Sequence, residues 1–298
     1  MARLSSLPRR LHRLLTNPPT AGDRHGWLFN FACACRGVLT EAQLRQLMHE
    51  LMVLDWGREL KIDVDIERAI TNGFLSEPKA GAVNWPKPDH VAIEKVLNEP
   101  PAFHVTQPLA LDPELVIDSL FPGGGLICCG THAGVATTKD RELWRGILKH
   151  QSFIVPGPMS KPQGHNQAGE LSQRCRENAP NPRRYLVAEC DDITLSKNQK
   201  ASLLTALANH PFSEQGIPPL PLVMAVDSGG KSIHGWFRCD GFAEDQLLAW
   251  TRLAVALGHD KAMWRPEQVF RMPGGTRHSQ DANRRTIAVP QHILFFSL

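Results

Sequence analysis

The stretch Arg184-Tyr-Leu-Val-Ala-Glu-Cys-Asp191 constrains this chain more than any other, because a short apolar run ends in two acids one residue apart. Tyr185 to Ala188 reads as a buried strand. Side chains alternate along a strand, so Glu189 and Asp191 project from one face and Cys190 from the other. Two carboxylates set this close repel each other unless a cation sits between them. Oxygen donors without a histidine cluster favour Mg²⁺ or Mn²⁺ over Zn²⁺. Acid pairs at strand ends are also common solvated surface groups, so the pair carries chemistry only in company.

That company is Asp227-Ser-Gly-Gly-Lys-Ser-Ile-His-Gly-Trp-Phe237. Leu222 to Val226 reads as a strand, Ser228 to Lys231 as a tight turn and Ser232 to Phe237 as the returning strand of a hairpin. Ser232, His234 and Trp236 then share a face. A glycine turn lets backbone N–H groups approach an anion, and Lys231, Ser232 and His234 add donors for a phosphate. Gly230-Lys-Ser232 echoes the end of a P-loop. However, Ala225 stands where the first glycine is required, and a strand rather than a helix follows.

In order and spacing these motifs resemble those of the archaeo-eukaryotic primase and primase-polymerase superfamily, in its plasmid, phage and mobile-element branch. Glu189-Cys-Asp191 looks like its acidic pair, Ser232-Ile-His234 like its hairpin strand, and Asp260 in Leu257-Gly-His-Asp-Lys261 like its third acid. Phe270-Arg-Met-Pro-Gly-Gly-Thr-Arg277 is similar to the later Arg-x-Pro-Gly segment of that branch. The family usually has Asp before the second acid where this chain has Glu. The resemblance covers residues 113 to 298. It implies a smaller α/β unit joined to an RRM-like sheet, and metal-dependent, template-directed nucleotidyl transfer that makes primers for a mobile element.

Under that resemblance Glu189, Asp191 and Asp260 hold Mg²⁺ or Mn²⁺, and His234, Ser232 and Lys231 hold a nucleoside triphosphate. Arg271 and Arg277 either reach its phosphates or are surface arginines beside a turn. Lys161, Arg174, Arg183 and Arg184 either track a single-stranded DNA template or form a solvated basic face. A replicative helicase would be a separate chain. Two rivals share the motifs: a metal-dependent phosphodiesterase, and a non-catalytic replication-origin or single-stranded-DNA-binding protein built on a primase-like domain.

Apolar periodicity divides the chain. Leu39 to Leu54, with Thr40 as N-cap, and Asp65 to Asn72 read as helices of an accessory unit over residues 1–80. Pro78, Pro86, Pro88, Pro100, Pro101 and Pro108 mark an extended linker over 81–112, interrupted by a short helix around Val91 to Leu97. Residues 113–298 alternate strand and helix signals, with helices over Lys197 to Asn209 and Asp245 to Leu257. Hairpins mixed with helical crossovers predict an α+β domain around a mixed sheet.

Composition agrees with a globular chain. At 298 residues, 42% hydrophobic and net charge +3, it can bury a core, and its charge permits nucleic-acid binding without identifying it. No apolar run approaches the ~20 residues needed to span a bilayer. The seven cysteines show no paired C-x-x-C spacing, so a reduced, cytoplasmic protein is expected. Cys128 and Cys129, next to apolar Leu126 and Ile127, read as buried strand rather than as a metal site with His132. Residues 1–16 combine Arg3, Arg9, Arg10 and Arg13 with leucines at helical spacing, which predicts a basic amphipathic helix or a targeting segment.

Overall fold

The computed structural model describes residues 24–35, 39–56, 62–71, 83–209, 217, 219–280 and 285–298. It is an α+β chain in two compact units, residues 1–84 and 85–298. The basic segment 1–16 lies outside the described residues.

In the first unit, helices α1 (Arg24–Ala34), α2 (Glu41–Trp56) and α3 (Ile62–Ala69) bury a core of their own. Trp27, Leu28, Phe31, Ala32 and Cys35 recur on one helical face and meet Leu44, Met48 and Ile66. Thr40 caps α2 reciprocally. Its hydroxyl accepts from the Gln43 N–H (3.3 Å), and its own N–H donates to Gln43 Oε1 (2.9 Å). Arg45 then ties α2 to α3 by donating to Glu67 at 2.7 Å.

From Trp85 on, the stretch that reads as a proline-rich linker belongs instead to the second unit. Proline stops a helix without preventing burial, and Val96 and Phe103 are both core residues. Asp89 caps α4 (His90–Leu97), and its N–H donates to Ala256 O at 2.7 Å. The Ala102 N–H donates to Thr205 Oγ1 at 2.9 Å. Helix α5 (Pro113–Leu120) follows, with Asp112 as N-cap and proline in its first turn.

Two four-stranded sheets organise this unit. The first contains β1 (Leu126–His132), β2 (Val135–Asp140), β3 (Phe153–Ile154) and a late strand, Phe270–Arg271, in the order β2-β1-β3-β9 once that strand is numbered β9. A small hairpin pairs β4 (Gly164–His165) with β5 (Leu171–Ser172). The second sheet contains β6 (Tyr185–Glu189), β7 (Leu222–Asp227), β8 (Ile233–Arg238) and β12 (Ile293–Phe296), ordered β12-β7-β8-β6. A ribbon of β10 (Thr276–Gln280) and β11 (Thr286–Pro290) precedes β12.

The expected mixed sheet is corrected: every pairing among the described strands is antiparallel. Helix α6 (Lys197–Asn209) does connect two strands of the same direction, β6 and β7, but β8 lies between them. The helical crossover therefore skips a strand, as in a split βαβ unit, and leaves no parallel neighbours.

Alternation assigns the faces of the second sheet. On β6 and β8, Glu189 lies opposite His234 and Val187 opposite Trp236, while Leu186 and Ala188 face Phe237 and Gly235 on the other side. Helices α6 and α7 (Glu244–Ala256) cover that other side. Phe237 packs 4.7 Å from Trp250 of α7, and a Cβ on Gly235 would stand 2.6 Å from Leu204 of α6. Burial of each such aromatic contributes about 2–3 kcal/mol. The Glu189–His234 face turns away from the helices and meets the first sheet, where the His234 ring stands edge-on to Phe270 of β9 at 6.0 Å.

Candidate active site

The end of β6 and the start of β8 place four predicted side chains together. His234 Nδ1 accepts from the Arg271 N–H at 3.4 Å, which leaves Nε2 as the donor side, 3.0 Å from Glu189 Oε1. That approach is a close contact rather than an aligned hydrogen bond. Ser232 Oγ donates to Asp191 Oδ1 at 2.6 Å. Cys190 is buried with Leu203 and Ala206 of α6, so the two acids share the opposite side as alternation predicts.

The acids divide electrostatically. Burial works to raise the Glu189 carboxyl, but the close His234 ring first, and then neighbouring Asp191 and Ser232, hold it down at about 2. Asp191 is pushed up, first by burial and then by the Glu189 charge and hydrogen bond, against the lowering effect of Ser232. Two carboxylates in one site thus hold different affinities for a proton. A cation that displaces that proton would relieve the repulsion, and hard oxygen donors with water and phosphate suit Mg²⁺ or Mn²⁺.

Two arginines approach the pair and its hairpin turn from outside the sheet. Arg271, on β9, stacks over Phe153 at 4.4 Å and is half-buried. Burial and then the adjacent Arg277 charge weaken its hold on a proton, while Glu189 and Asp191 act the other way. Arg277, on β10, lies so close over Gly230 that any Cβ there would run into its Nη1. The guanidinium rests on the turn and, as the far end of a flexible side chain, would have to move aside for a larger residue there. Among the described residues neither arginine makes an ion pair.

Asp260 is joined to the pair through the main chain, its N–H donating to Glu189 O at 2.8 Å. Its carboxylate accepts from the Ala262 N–H (2.9 Å) and caps the 3₁₀ turn Lys261–Trp264. No group of three or more His, Cys, Asp or Glu side chains arranged for a metal occurs among the described residues. Asp192 accepts from the Thr194 N–H and hydroxyl, and Asp227 from the Gly229 N–H and Lys197, so both serve turns.

His259, next to Asp260, is 4% exposed, and among the described residues neither ring nitrogen makes an aligned hydrogen bond, although the Glu189 backbone and charge act on the ring. Burial lowers its pKa to about 4 from the ordinary 6.5. Above pH 6.5 the ring is neutral in both folded and unfolded chain; between 6.5 and about 4 only the unfolded chain takes up the proton. Stability is therefore expected to fall as the pH drops through that window. Urea titrations at pH 7 and pH 5 check this, and His259→Leu should flatten the difference; an equal slope in that variant assigns it to other groups.

The residues expected to follow a template are engaged elsewhere in the fold. Arg183 donates to Trp264 O (2.6 Å) and Glu244 (2.9 Å) and stacks on Trp264 at 4.1 Å. Arg174 donates to Glu267 O and Ala133 O, Lys161 pairs with Glu177, and Arg184 reaches the Tyr185 hydroxyl. Lys231 is exposed beside the turn, with its carbonyl accepting from Lys200. Cys128 and Cys129 are fully buried in β1. Lys200 gave no sequence signal, since a lysine in a helical window reads as surface.

The chain matches no protein-family model, no curated protein and no solved structure. No helix among the described residues is long and apolar enough to cross a membrane.

Proposed function

We propose that this chain is a template-directed nucleotidyltransferase, a DNA primase or primase-polymerase of the archaeo-eukaryotic superfamily that makes primers for a mobile element. One observation carries the reading: a carboxylate pair of divided proton affinity lies in the field of Arg271, with Arg277 over the adjoining Gly230 turn, and among the described residues neither arginine makes an ion pair. Opposed charge of this kind suits a polyanion whose phosphates bridge the two sides. A sheet with helices on one face and the site on the other supports the RRM-like form of the fold.

Glu189 and Asp191 are the residues that would hold Mg²⁺ or Mn²⁺, which when bound neutralises charge on the α-phosphate and acidifies a 3′-hydroxyl. Asp260 is the candidate third carboxylate, and joining the pair requires it to give up its cap on Ala262. Ser232, Lys231, Arg271 and Arg277 take the triphosphate. His234 is 2% exposed with Nε2 3.0 Å from Glu189, and would act on the triphosphate through that carboxylate. The partners are nucleoside triphosphates, a single-stranded DNA template and a separate helicase.

The deciding assay combines purified protein, single-stranded template, Mg²⁺ or Mn²⁺ and labelled nucleotides, with products resolved by length. Ladder products support the reading; shortening of labelled DNA without incorporation would favour a phosphodiesterase, and template binding alone a non-catalytic protein. Within that assay His234→Ala is expected to raise the nucleotide KM about tenfold while template affinity changes less. If template affinity collapses and the KM stays put, the histidine serves the DNA.

A further inference from the structure

We infer that Lys200 is a positioning residue for nucleotide binding, bracing the β7–β8 turn from helix α6. The inference rests on the nucleotidyl-transfer reading above. Lys200 sits in the first turn of α6 and is 1% exposed. Its Nζ donates to Lys231 O at 2.8 Å, and no carboxylate lies within ion-pair distance among the described residues. An ammonium buried without a paired acid is costly, so a fold that keeps one must gain from its contacts.

The contacts identify the gain. Lys231 O belongs to the glycine turn, so the ammonium ties helix α6 to the segment whose Ser232 hydroxyl donates to Asp191 at 2.6 Å. A second brace comes from the same helical turn: Lys197 Nζ donates to Asp227 Oδ2 at 2.5 Å, and Asp227 Oδ1 accepts from the Gly229 N–H at 3.0 Å. Within the turn, Ser228 N–H donates to Ser232 O (3.1 Å) and Ser232 N–H to Ser228 Oγ (3.2 Å). Helix α6 thus holds residues 227–232 from beneath, and Lys231 and Ser232 wait in place for a triphosphate. Holding a binding loop in its bound form lowers the ordering cost of binding. Lys200 itself does not touch the ligand.

Full-length wild type, Lys200→Met, Lys200→Gln and Lys197→Met are titrated with a fluorescent dATP analogue and, separately, with a labelled single-stranded oligonucleotide. Lys200→Met should weaken nucleotide binding about tenfold, ~1.4 kcal/mol, with the oligonucleotide Kd nearly unchanged. Lys200→Gln, which keeps an N–H donor, should fall between it and wild type. Equal nucleotide Kd in wild type and Lys200→Met overturns the inference, as does a parallel loss of both affinities with the melting temperature. Should Lys200→Met fail to fold, a nucleotide Kd raised in neither Lys200→Gln nor Lys197→Met overturns it too. A wild type that binds no nucleotide removes the nucleotidyl-transfer reading itself, which separates the two failures.

Discussion

Replacing Glu189 and Asp191 together by alanine is expected to abolish nucleotide incorporation, on the order of 10³-fold or more, because groups of one site act as a unit. Contacts and charge converge on the pair. His234 contacts one acid, Ser232 donates to the other, and Arg271 lies in the field of both. On the proposed nucleotidyl-transfer reading, removing both acids would leave the arginines to bind phosphate with nothing to hold a cation near the reacting oxygen. The double variant should keep its circular dichroism and melt near wild type, since Asp191 is exposed and Glu189 partly so. Incorporation at the wild-type rate would remove the pair from the mechanism. Global unfolding would make it a structural element of the β6–β8 pairing.

Trp236→Ala should cost about 3–5 kcal/mol of stability, the range for truncating a fully buried tryptophan. Trp236 has no solvent exposure and lies on the site face of β8, two residues beyond His234, with its ring 5.8 Å from that of Tyr185. Tyr185 in turn packs against Phe121 at 6.0 Å and donates its hydroxyl to Leu120 O at 2.9 Å. A cavity here removes the packing that joins β8 to Tyr185 and, through it, to the end of α5. Urea unfolding measures the loss. A change below about 1 kcal/mol would mean that the surrounding rings collapse into the space.

Legibility varied by element, for physical reasons. The helices over Lys197–Asn209 and Glu244–Ala256 announce themselves through apolar residues at helical spacing, and α2 through its cap. Strands β6, β7 and β8 are apolar runs because both of their faces are covered. By contrast β2, Val-Ala-Thr-Thr-Lys-Asp, and β10, Thr-Arg-His-Ser-Gln, are polar sequences whose strand character comes from the partner they pair with. Proline content over residues 81–112 reads as a spacer, yet the hydrogen bonds of Asp89 and Ala102 commit the segment to the second unit.

What the sequence by itself determined is the local chemistry of the site. Two-residue alternation puts Glu189 and Asp191 on one face with Cys190 on the other, and places Ser232 with His234 after a glycine turn, whatever the rest of the chain does. The tertiary structure alone decided which cations come near these motifs. Arg271 and Arg277 come from β9 and β10, whereas Arg174 and Arg183, nearer in sequence, are consumed by backbone carbonyls and Trp264. It also decided that Lys200 is buried. Long side chains carry no record of their partners in composition or period, because a guanidinium or ammonium finds its acceptor through contacts between residues far apart in the chain, and only folding brings those together.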